Sequence, residues 1–155
     1  MYGNRAVFHI GEVAAAAQVA PSTIRNWIQR GLILLGDDEK PADAGLPRVF
    51  SFGTAKTIAV VAALVRLGIP PSEASPAALA WLEVDRPGCE AGALYSEGHT
   101  LLSYFGGGKA EVMQFGTAAA LMPWVASDGA AQSSVAVVHL NALDAQLRNG
   151  LPRKE

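Results

Sequence analysis

A single cysteine, Cys89, excludes an internal disulfide framework and leaves no thiolate pair for a structural zinc. Charged residues make up only 17% of the chain and the net charge is −2, which argues against a lysine-coated, undirected nucleic-acid binder. Aromatics are also few, at 7%, yet half of the residues are apolar, so a packed core is expected rather than disorder. The longest apolar run, Ile58 to Val65, falls far short of the ~18 residues a membrane span needs, so no membrane association is expected. Met1-Tyr2-Gly3-Asn4-Arg5 lacks the basic head and apolar stretch of an export signal. The expectation is a cytoplasmic globular protein.

Catalytic and metal-binding patterns are scarce too. His9, His99 and His139 fall in separate predicted elements, with no i,i+4 partner and no carboxylate brace, so no metal site is expected. His139 reads as a core histidine. Cys89 beside Glu90 has no activating context, and no Ser or Thr has one either. Gly106 to Lys109 lacks the spacing of a phosphate loop and reads as a hairpin turn. Neither an enzyme nor a cofactor is expected.

What is present begins with helical periodicity. Ile10, Val13, Ala14 and Ala17 predict a short helix, Gln18-Val19-Ala20 a turn, and Pro21 the first position of a second helix ending near Arg30 at Gly31. Gly36, Pro41, Gly45 and Pro47 predict a loop between strand-like ends at Ile33–Leu35 and Arg48–Phe50. Ser51 caps a third helix to Leu67, and Ser72–Ala74 opens a fourth that Pro76 interrupts before Ala77–Leu82. Asp85-Arg86-Pro87-Gly88 marks a boundary. Beyond it, Gly92–Ser96, Thr100–Phe105, Ala110–Phe115 and Ser134–Leu140 read as strands, 117–126 as a helix, and Asn141 as the cap of a last helix to Asn149.

The second helix carries the strongest functional pattern. On a helical wheel Ile24, Trp27 and Ile28 share one side. Ser22, Thr23, Arg25, Asn26, Gln29 and Arg30 occupy the other, without one acid. Such groups pair with base edges and phosphates: Asn and Gln with adenine, Arg with guanine or phosphate. An arbitrary solvated helix face looks similar, and the order of elements decides between them. Residues 44–72 carry Arg48, Lys56 and Arg66 with no acid, which allows a local positive face although charge alone does not assign DNA binding. Lys56 joins the candidate contacts.

Four segments in order resemble a known family. Ile10-Gly11-Glu12-Val13-Ala14, then Thr23-Ile24-Arg25 and Gly31-Leu32-Ile33, are similar to the opening of MerR-type domains. Arg48-Val49-Phe50-Ser51 resembles their wing exit, and Leu64 to Ile69 with Glu73 their helix 3 to helix 4 corner. The resemblance implies a dimer that reads major grooves with helix 2 and grips the backbone with the wing, Arg25 and Arg48 meeting phosphate. The sequence departs from that pattern at Gln18 for the turn glycine, Ala20 for the cap serine, and Asn26-Trp27 for paired tyrosines. The wing is acidic at Asp37–Glu39, which should turn its tip from phosphates, and no long dimerisation helix follows Leu82.

The fold class expected is α+β: a MerR-like winged helix-turn-helix over 1–83, folding alone, and a small α/β region over 90–150 with a hairpin and a terminal strand–helix. The second region is expected to pair with its twin in a homodimer, the alternatives being that it folds back on its own winged helix or binds a partner such as RNA polymerase. The function expected is sequence-specific regulation of transcription on double-stranded DNA. An excisionase-like architectural factor and a protein adaptor that has lost DNA binding are the alternatives.

Overall fold

The computed structural model describes residues 7–40, 47–117 and 135–152. Strand β1 (Val7–His9) runs into α1 (Ile10–Ala17), where Glu12 reaches back to accept from the His9 N–H at 2.7 Å. Helix α1 stops at Gln18, whose backbone is left-handed (φ 55, ψ 47). Its N–H and that of Val19 return to the Ala15 and Ala14 carbonyls, closing the last turn. Helix α2 (Pro21–Gln29) follows at once, its first position filled by proline.

The wing departs from expectation. Ile33–Leu35 is not a strand; β2 (Val49–Ser51) pairs antiparallel with β1 instead, Phe8 opposite Phe50. Phe8 and Phe50 are fully buried, so the core-facing pair selects this register, whereas Leu34 is 73% exposed and gains nothing from pairing. Ser51 then caps α3 (Phe52–Arg66), accepting from the Thr54 N–H at 3.1 Å.

Helix α4 (Pro71–Leu82) runs unbroken through Pro76, contrary to the expected interruption. Ala74, Ala77, Ala78 and Trp81 are all buried, and that packing outweighs the one intrahelical bond proline removes from an exposed position. The boundary at 85–88 is a tight turn in which Arg86 and Cys89 exchange backbone bonds, both 2.9 Å.

Gly92–Ser96 is not a strand. Gly92 has φ 72, and side chains capture the segment: the Trp81 indole donates to the Ala93 carbonyl at 2.8 Å, and Thr100 Oγ1 accepts from the Tyr95 N–H at 2.9 Å. Strands β3 (His99–Gly106), β4 (Lys109–Phe115) and β5 (Ala136–His139) form an antiparallel sheet in the order β4-β3-β5. The β3–β4 turn needs glycine at Gly108, which has φ 75 and lies where any Cβ would come within 2.9 Å of the Pro76 ring. The last helix, α5 (Leu140–Gly150), starts at Leu140 rather than after an Asn141 cap. The Asn141 side chain instead accepts from the Thr100 N–H at 2.7 Å. The helix expected over 117–126 lies, beyond Thr117, outside the described residues.

One core joins both regions. Leu102 and Val138 of the sheet, and Leu140, Leu143 and Leu147 of α5, are buried in the same cluster as Val13, Ile24, Trp27 and Ile58. Helix α5 closes on α1: Gln146 donates to the Ala16 carbonyl at 2.7 Å, and Gly150 lies so close that a Cβ would meet that of Ala16 at 2.9 Å.

Candidate nucleic-acid interface

Helix α2 stands on its apolar side. Ile24 and Trp27 are buried and Ile28 is half-buried, which fixes the rotation of the helix. Ser22, Arg25, Asn26 and Gln29 consequently form one exposed stripe at i, i+3, i+4 and i+7, flanked by half-buried Thr23 and exposed Arg30. No acidic residue lies on α2, and its Ala20 cap offers no side-chain acceptor to the first turn. The stripe supplies hydroxyl, guanidinium and amide groups from one rigid element, a combination able to read base edges and phosphates together.

The remaining candidates divide. Arg48 is half-buried just before β2, its Nε sequestered without a hydrogen-bond partner. Lys56 is held elsewhere. Its ammonium donates to the Gly92 carbonyl at 2.7 Å, lies 3.8 Å from Asp144 of α5, and sits 4.9 Å and 5.2 Å above the Phe52 and Trp81 rings. Burial lowers its pKa, Asp144 opposes that, and Arg148 adds to it. Lys56 thus belongs to the packing between α3 and α5, and the exposed stripe does not include it. Its partner could not be identified from sequence because Asp144 lies so far along the chain.

The acidic wing is also rearranged. Asp37 pairs with Lys40 at 2.8 Å. Glu39 is buried: its carboxylate accepts from the N–H groups of Gly36 (2.8 Å) and Ser51 (2.6 Å) and from the Thr54 hydroxyl (2.9 Å). Burial raises its pKa, but the bonds from Ser51, Thr54 and Gly36 more than offset this and leave it below the ordinary value. Asp38 is exposed. Sequence reasoning counted three repulsive charges here; the capping position of Glu39 beside α3 shows only in three dimensions. His139 differs from expectation as well: it is exposed and meets His99 rather than the core.

No helix among the described residues is long and apolar enough to cross a membrane. Residues 8–78 match the family model described as MerR HTH family regulatory protein, a family of DNA-binding regulators without catalytic activity. The match spans β1 to most of α4 and so includes the whole α2 stripe. No curated protein matches the chain.

Proposed function

With residues 8–78 a MerR-type regulatory helix-turn-helix region, we propose that the protein regulates transcription by placing α2 in the major groove of specific DNA sites. The observation that carries this reading is the acid-free stripe of Ser22, Arg25, Asn26 and Gln29. In the proposed complex Asn26 and Gln29 read base edges, while Ser22, Thr23, Arg25 and Arg30 hold the backbone together with Arg48 from the wing. One such helix contacts too few bases for useful specificity. Two copies paired through residues 90–150 would read two half-sites about one helical turn apart. In this division of labour residues 1–83 recognise DNA and residues 90–150 set the assembly.

Footprinting the full-length protein on genomic DNA tests the proposal. Expected are a few palindromic sites whose affinity falls steeply with salt as phosphate contacts release counterions. Arg25→Ala should weaken all sequences alike, and Asn26→Ala should cost about 1–3 kcal/mol at one base position only. Clustered repeats with bending would indicate an architectural factor, and folded protein with no salt-sensitive DNA binding would indicate an adaptor.

A further inference from the structure

Two histidines that sequence spacing left apart meet on one face of the three-stranded sheet. Leu101 of β3 pairs with His139 of β5, so His99, two residues before Leu101, is the diagonal neighbour of His139 on that face. His99 Nδ1 lies 3.1 Å from His139 Nε2, with the rings edge to face. Both residues are exposed. We propose that His99 and His139 form a two-histidine site for a first-row divalent transition-metal ion of the Zn2+ or Cu2+ class, with water in the other positions.

The argument rests on distance, donor type and rigidity. Two ring nitrogens each about 2.0–2.1 Å from one ion stand about 2.9–3.4 Å apart as the angle opens from square to tetrahedral. The observed 3.1 Å separation already lies in that interval. Imidazole donors suit zinc and copper, whereas calcium and magnesium require oxygen. The backbones are held in place: Leu102 pairs with Val138 in the core beneath, and Asn141 ties the start of α5 to Thr100. Little ordering is left for the ion to impose. Among the described residues no cluster of three or more His, Cys, Asp or Glu could hold a metal. A site with two protein donors is therefore exchangeable rather than structural, and Cu2+ binds it more tightly than Zn2+.

Calorimetric titration of tag-free, full-length protein with ZnCl2 and with CuCl2 at neutral pH tests this. Expected is one ion per chain with a dissociation constant of ~1–100 μM, copper tighter than zinc. His99→Ala and His139→Ala should each weaken binding by about tenfold or more, because each removes one of two donors. His9→Ala, on β1 of the separate two-stranded sheet, should leave it unchanged. The thermal midpoint should rise with metal in the native protein and not in the two site variants. Since both side chains are exposed, circular dichroism of the variants should match the native protein. Absence of binding by the native protein in this range, or binding that survives loss of either histidine, would overturn the site.

Discussion

At Glu39 an ionised carboxylate takes three donors at once and anchors the wing to the start of α3. Its folded pKa lies below the ordinary glutamate value of 4.5, so its contribution to stability is complete above that value and is lost as pH falls through the lower folded one. Glu39→Gln presents an amide NH2 to groups that are themselves donors and should destabilise the protein by about 1–3 kcal/mol at pH 7. The gap between native and variant should narrow as pH falls below 4.5 and through the lower folded value, as urea melts across pH will register. A gap independent of pH would mean that the charge is not what holds the loop. Gln18 offers the opposite sign. A non-glycine residue in the left-handed region is strained, so Gln18→Gly should stabilise by about 0.5–1 kcal/mol and raise the melting midpoint by a few degrees. A lower midpoint would show that the Gln18 side chain contributes more than its backbone loses.

Among the elements, α5 packs on α1 and α3 and is one of the contacts between residues 8–78 and the rest of the chain. Gly150→Ala should improve helix propensity by up to about 1 kcal/mol, yet the added Cβ meets Ala16 at 2.9 Å, inside contact distance. Steric crowding between two packed helices wins, and the variant should be less stable by about 1–3 kcal/mol in urea. Combining it with Ala16→Gly should lose less than the sum of the two single changes, and strict additivity would refute the contact. This packing was not legible in the sequence, because small residues at a close approach carry no periodic signature. Helices α1, α2 and α3 were legible because Ala-rich periodicity, Pro21, Ser51, Gly31 and Gly68 are local signals. The α2 face was legible for the same reason: a wheel needs only ten residues. The partner of β2 was not, since two three-residue apolar segments compete for it and only the burial of Phe8 decides. His99 with His139, and Lys56 with Asp144, are likewise pairs of distant residues joined only by the topology.

For the whole molecule, the shared core changes what truncation should do. The expectation that 1–83 folds alone treats α1, α3 and α4 as self-sufficient, but Leu102, Val138, Leu140, Leu143, Leu147 and Leu151 all complete their apolar cluster. At about 1.5–3 kcal/mol for each buried side chain, their removal approaches or exceeds a typical domain's entire 5–15 kcal/mol. The 1–83 fragment should therefore lose cooperative unfolding and near-ultraviolet dichroism, and a sharp urea transition from it would disprove the shared-core dependence. The same packing constrains the proposed dimer. Leu102 and Tyr104 face the core, and Leu101 and Ser103 on the other face are buried too, so among the described strands pairing through residues 90–150 is left the outer edges of β4 and β5, the terminal strands of the described sheet. Light scattering on the full-length chain is then the appropriate measurement, because a fragment would report unfolding rather than dissociation. A mass twice that of the chain, falling towards one chain on dilution, is the expected result. A single-chain mass at every concentration, with operator binding intact, would remove the two-fold pairing and leave α2 to act from a monomer.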